Sequence, residues 1–264
     1  MNIGEDPWDS GDPYEFFMGR WSRLIAPEFI RWLSMPSDRS WLDIGCGTGS
    51  LSKTILALAS PAWILALDLS ASFIQTAMRT IDDPRVNFEV GTASRIPVPT
   101  KSFEIIVSGL VLNFVPDAIR ALNEMKRVGR RDGVIAAYVW DYAKGMEMLR
   151  YFWDAAVALT PSARELDEGR RFPICHPDRL ERLFMKAGLR EVDVQAIDIK
   201  TEFKDFDDYW LPFLGGQGPA PGYVAGLESE ERMELENTLR ERLPISEDGS
   251  IELQARAWAV KGRN

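Results

Sequence analysis

Short apolar runs alternate with amphipathic stretches through the first half of the chain. Tyr14 to Leu33 carries Trp21, Leu24, Ile25, Phe29, Ile30 and Leu33 at roughly helical spacing. Trp41-Leu42-Asp43-Ile44 is a compact apolar run closed by glycines, the pattern of a buried strand that ends in a loop. Leu51 to Leu58 reads as a helix, and Ala62 to Leu67 as a second strand ended by Asp68. Ser70 is placed to cap a helix that runs to Met78. Further strands are expected at Val86–Val90, Phe103–Val107 and Gly133–Trp140, with a helix over Asp117–Val128 whose Ile119, Leu122, Met125 and Val128 share one face. Strands alternating with helices predict a doubly wound α/β fold: a mostly parallel sheet with helices on both faces.

The second half is less regular. Helices are predicted at Met146–Leu159, Pro177–Ala187 and Glu228–Leu243, and strands at Arg190–Ile199 and Ile251–Val260. Residues 212–222 are too rich in Pro and Gly for a regular element. The simplest division is an acidic tail at 1–13 and one domain at 14–264, with a cofactor-binding core at 14–140 and a substrate-side half at 141–264. The 264 residues, with 31 basic against 40 acidic side chains, carry a formal net charge of −9, which disfavours nucleic acid as a partner. No apolar run is long enough to span a bilayer, and Met1 to Asp12 lacks the basic start of a signal peptide, so a cytoplasmic protein is expected. Cys46, Cys175 and the single His176 do not make a Cys/His metal site, and no metal is expected.

The chemistry concentrates in Asp43-Ile44-Gly45-Cys46-Gly47-Thr48-Gly49. A glycine loop between a strand and its helix lets the backbone approach a ligand and points helix N–H groups at it. A dinucleotide fingerprint would need Gly or Ala at position 50, which is Ser50. Asp68, at the end of the second strand, can accept hydrogen bonds from ribose hydroxyls in either cofactor class.

The loop resembles the first motif of Rossmann-fold (class I) S-adenosylmethionine-dependent methyltransferases, Asp/Glu-x-Gly-x-Gly-x-Gly, at every specified position. Gly91-Thr92-Ala93-Ser94 stands where that family usually has Gly-Asp-Ala, and Ser102-Phe103-Glu104-Ile105-Ile106-Val107-Ser108 resembles its fourth strand. The resemblance implies a seven-stranded Rossmann-like sheet, S-adenosylmethionine as cofactor with S-adenosylhomocysteine as product, and a small-molecule methyl acceptor. It implies cofactor contacts at Asp43, Gly45, Cys46, Gly47, Asp68, Leu69, Thr92, Ala93, Ser94 and Ser108, with Arg20 facing the methionine carboxylate. Candidate acceptor contacts are Tyr14, Asn113, Trp140, Tyr142, Tyr209 and Trp210. Residues 14–20 and 211–223 are candidate lids. Neither a catalytic base nor the oligomeric state is legible. A non-catalytic S-adenosylmethionine-binding protein and an NAD-dependent oxidoreductase are the competing readings.

Overall fold

A computed structural model describes residues 15–216 and 218–264; the expected tail at 1–13 and Tyr14 lie outside them. The strands are β1 (Ser40–Ile44), β2 (Trp63–Asp68), β3 (Val86–Val90), β4 (Phe103–Gly109), β5 (Gly129–Trp140), β6 (Arg190–Phe203) and β7 (Ile251–Arg263). They form one seven-stranded sheet in the order β3-β2-β1-β4-β5-β7-β6. The first five pair in parallel; Leu42, for example, registers with Leu65 on one side and Ile106 on the other. Strand β1 is buried along its whole length, which is why it reads as an apolar run and not as an alternation. The amide of Asn264 donates to Gly133 and that of Asp141 to Arg256, so β7 runs antiparallel to β5. Ion pairs Lys200–Glu252 and Arg256–Asp198 step in opposite directions along β6 and β7, making that pair antiparallel as well.

Helix α1 (Arg20–Leu33) precedes β1, and the helices between the parallel strands are α2 (Ser50–Leu58), α3 (Ala71–Thr80) and α4 (Ala118–Val128). Two start at a capping side chain, the first of them expected from sequence: Ser70 Oγ accepts from the Phe73 amide at 3.3 Å, and Asp117 Oδ1 from the Arg120 amide at 3.0 Å. A π-helical turn at Glu15–Gly19 precedes α1, so the helix expected over 14–33 begins in earnest at Arg20. Farther on come α5 (Glu147–Leu159), the single turn α6 (Glu168–Arg171), α7 (Pro177–Lys186), α8 (Phe206–Trp210), α9 (Pro219–Ala225) and α10 (Ser229–Arg242). The segment at 212–222, expected to be irregular, contains a 3-10 turn at Leu211–Gly215 and the helix α9. Pro219 sits in the first turn of α9, where its missing N–H has no partner to lose.

The chain divides into two compact units. The larger comprises Trp21–Val139, Ile174–Ile197 and Ala257–Asn264. The smaller comprises, of the described residues, 15–20, Trp140–Pro173 and Asp198–Arg256. Its core is aromatic: Phe152 stacks on Phe213 at 4.5 Å, and Phe17 meets Phe213 edge-on at 5.3 Å. Tyr209 and Trp210 are 0% and 3% exposed in that core.

The turn out of β1 is closely packed at one glycine and open at the next. Gly45 and Gly47 have φ of 72° and 54°, in the left-handed region. A Cβ at Gly45 would lie 2.5 Å from Val111 Cγ1, whereas one at Gly47 would meet nothing within 4 Å. Urea unfolding of the ligand-free protein should therefore separate two like substitutions. Gly47→Ala should cost about 1 kcal/mol of backbone strain, and Gly45→Ala about 1–3 kcal/mol more from overpacking. Equal losses would mean that Val111 yields freely.

Candidate cofactor site

Strand β1 delivers Asp43 and then the glycine loop to the carboxyl edge of the sheet, where open α/β folds place their ligands. The loop is tied down from β2: the amides of Gly45 and Cys46 both donate to the Leu67 carbonyl, at 2.7 and 2.9 Å. Asp68 fastens both sides of this edge. Its Oδ2 accepts from the Gly47 amide at 2.9 Å and its Oδ1 from the Ser70 amide at 2.8 Å. Each carboxylate oxygen keeps a lone pair for a further donor. Burial raises the pKa of Asp68, and the hydrogen bonds from Ser70 and Gly47 oppose it. Leu69, next along, is 74% exposed, an apolar side chain left beside the site.

Asp43 is wholly buried, and its Oδ2 accepts from Ser52 Oγ at 2.6 Å. Burial pushes its pKa up to about 7; the nearby Asp68 charge adds to this and the Ser52 hydroxyl opposes it. Its other oxygen, Oδ1, is buried without a hydrogen-bond partner. So are Ser108 Oγ, near the end of β4, and both amide atoms of Asn113, in the 3-10 turn Leu112–Phe114 that follows. Buried polar atoms are rarely left unpaired, and several at one sheet edge mark a place where a polar ligand completes the bonding. Leu110, between them, adopts φ of 62°, a strained backbone that a non-glycine residue seldom holds.

The remaining expected contacts fall in varied places. Cys46 is buried, and burial first, then Asp43 and Asp68, raises its thiol well above the ordinary range, so it behaves as a small apolar loop residue. Thr92 closes a tight turn with Arg95, and its Oγ1 accepts from the Ser94 amide at 3.3 Å. The Ser94 N–H, expected to face a ligand, is thus turned into its own loop; Ala93 lies between the two. Trp140 and Tyr142 are buried past the end of β5, with Tyr142 against Phe172 at 5.8 Å. Asp141 serves the turn there, accepting from the Lys144 amide at 3.1 Å. Tyr209 donates its hydroxyl to the Met148 carbonyl at 2.9 Å. Together with Trp210 it packs as core, because the short α8 turns its aromatic face inward.

Arg20, expected to face a ligand carboxylate, holds a protein one. Its Nη1 donates to Asp208 Oδ1 at 2.8 Å, its Nη2 to the Asp208 carbonyl at 3.2 Å, and the guanidinium lies 4.6 Å from the Phe203 ring centre. His176 is the residue before α7, half-exposed and 4.0 Å from Asp178, the position of a turn residue. Two groups escaped the sequence reading. Ser52, which holds Asp43, was visible only as a polar residue inside an amphipathic helix. Glu168 is 3% exposed, accepts a hydrogen bond from Trp153 Nε1, and is pushed to about 7, chiefly by burial. A glutamate amid Arg170 and Arg171 carries no sequence signal of burial.

A glycine loop open on one side, a paired aspartate at the next strand end and unpaired polar atoms on the strand beyond define a Rossmann-like nucleotide-cofactor domain. Residues 42–137 match the family model described as a methyltransferase domain. Over that stretch, about a third of the chain, the sequence is similar to methyltransferases. It is 32% identical over 101 residues to a demethylmenaquinone methyltransferase of Roseiflexus sp., covering 38% of this chain and 42% of that one. It is 35% identical over 96 residues to the malonyl-[acyl-carrier protein] O-methyltransferase of Yersinia pestis, covering 36% and 34%. These alignments span less than half the length of either relative. The fold matches phosphoethanolamine N-methyltransferase 2 of Haemonchus contortus, solved with S-adenosylhomocysteine, at a TM-score of 0.58 and 16% identity, over 95% of this chain and 56% of that one.

The titration of Asp43 has a measurable consequence. Its folded pKa lies above the ordinary carboxylate value, so between about pH 4 and 7 the native state holds a proton that the unfolded state has released. Stability should fall as pH rises through that window, by up to about 1.4 kcal/mol per unit for one such group. Glu168 adds a slope of the same sign. Denaturant titrations across this range should show a shallower decline for Asp43→Asn than for the parent. Parallel curves would mean that Asp43 is ionised in the fold.

Proposed function

We propose that this chain is an S-adenosylmethionine-dependent methyltransferase that alkylates a small organic acceptor by in-line displacement. The observation that carries the proposal is the set of unpaired polar atoms at Asp43, Ser108 and Asn113 beside a loop whose Gly47 faces open space. The residues fit the cofactor. Asp68 would accept from the ribose hydroxyls, Gly47 would let the chain pass close to the amino-acid moiety, and Leu69 would cover an adenine face. The sulfonium of the bound cofactor supplies an already activated methyl group. What the protein adds is alignment and exclusion of water, which can contribute ~7–11 kcal/mol to such a step. Asn113, with a donor and an acceptor both unpaired, would orient the nucleophile. A base is required only for an acceptor that arrives protonated.

The relatives' names, demethylmenaquinone and malonyl-[acyl-carrier protein] among them, support an organic acceptor without selecting one. A cytoplasmic setting is part of the proposal, supported by the buried thiol of Cys46, which a reducing compartment preserves. Among the described residues, no helix is long and apolar enough to cross a membrane.

Calorimetry should show S-adenosylhomocysteine binding with negligible NAD binding, weakened by ~1.5–3 kcal/mol in Asp68→Ala through loss of hydrogen bonds to a charged group. Gly47→Val should abolish binding in a protein that still folds. Incubation with methyl-labelled S-adenosylmethionine and a metabolite extract should yield a labelled small-molecule product. Binding without any labelled product would favour the non-catalytic reading, and equal affinity for NAD would overturn the cofactor assignment.

A further inference from the structure

The opposite, amino edge of the sheet carries a concavity in the larger unit, on the starts of β4 and β5 and the end of β7. It is a cleft of about 340 Å³ whose apolar part is formed by Met35, Ile105 and Val134. Four arginines surround that part: Arg39, Arg130, Arg131 and Arg263. Only two carboxylates, Glu104 and Asp132, share the lining with them. On a chain of net charge −9 this is a local reversal of sign.

Both carboxylates are already engaged. Glu104 takes Arg39 at 2.6 Å and the Ser40 amide at 3.1 Å, and Asp132 takes Arg190 at 2.6 Å. Arg263 donates to Glu191 at 2.8 Å. Arg130 and Arg131 have weaker claims: Arg130 lies 3.8 Å from the Glu104 oxygen that Arg39 holds at hydrogen-bonding distance, and Arg131 lies 3.8 Å from Asp132 Oδ2, the oxygen that Arg190 leaves aside. That spacing is ionic contact without a hydrogen bond. Two guanidinium groups thus stand beside an apolar surface with their donors uncommitted, an arrangement suited to bidentate oxyanions. A small ligand site combines just such an apolar wall with a few polar groups that fix orientation.

We propose that this cleft binds a small amphiphilic oxyanion, its apolar body against Ile105 and Val134 and its phosphate monoester or carboxylate on Arg130 and Arg131. The site is separate from the cofactor loop and does not depend on the methyl-transfer reading.

Calorimetric titration at low ionic strength with phenyl phosphate, benzoate, inorganic phosphate and benzyl alcohol tests it. Phenyl phosphate or benzoate should bind tighter than both inorganic phosphate and benzyl alcohol, and which of the two wins identifies the head group. The double variant Arg130→Gln/Arg131→Gln should weaken the better ligand about tenfold or more, as expected for loss of charge-assisted hydrogen bonds. Its affinity for S-adenosylhomocysteine should be unchanged, which confirms an intact fold. The proposal is overturned if neither aromatic anion binds, if inorganic phosphate binds as tightly as they do, or if the double variant binds them as well as the parent.

Discussion

The carbonyl of Leu67 and the carboxylate of Asp68, consecutive at the end of β2, hold the turn that follows β1. The carbonyl takes two amides of the glycine loop and the carboxylate takes a third, so the loop cannot relax without breaking the edge of the sheet. From the other side Val111 presses on Gly45, and Ser52 reaches back to Asp43. A backbone in left-handed conformation is thereby kept in one shape before any ligand arrives. Preorganisation of this kind removes an ordering cost from binding. It leaves Gly47 as the position with space in front of it.

The same edge shows where polar groups are stored unpaired. A buried carboxyl oxygen, a hydroxyl and a carboxamide without partners are costly in an empty fold. Asp43 lessens its own cost by keeping its proton up to about pH 7, because burial makes ionisation expensive. A ligand that satisfies Asn113 and Ser108 would regain what the folded chain forgoes.

The parallel half of the sheet was legible because its central strands β1, β2 and β4 are largely buried and appear as apolar runs between turn signals, while the exposed edge strand β3 alternates apolar and polar residues. The loop was legible because glycine spacing records the left-handed backbone directly. Elsewhere the pattern misled. Pro219 and Pro221 suggested an irregular stretch, yet proline is compatible with a first helical turn, and α9 begins there. Tyr209 and Trp210, read as candidate acceptor contacts, pack into a core, since sequence alone leaves open which way a five-residue helix faces. Arg20 was matched to an absent carboxylate when Asp208, 188 residues away, supplies one. Ser52 and Glu168 are identified only by what surrounds them in space. Long-range pairing and burial are what a single sequence leaves open.

The proposed contact between Asp68 and the ribose of the cofactor lies in the cradle built by β1 and β2. It is tested most directly by a cycle of four calorimetric affinities: parent and Asp68→Asn, each with S-adenosylhomocysteine and with its 2′,3′-dideoxy analogue. If the carboxylate accepts from those hydroxyls, the two changes should be coupled by more than about 1 kcal/mol, the loss in the variant largely disappearing when the hydroxyls are already gone. Additive losses would contradict the account, for they would mean that Asp68 only fastens the loop and that the ribose lies elsewhere.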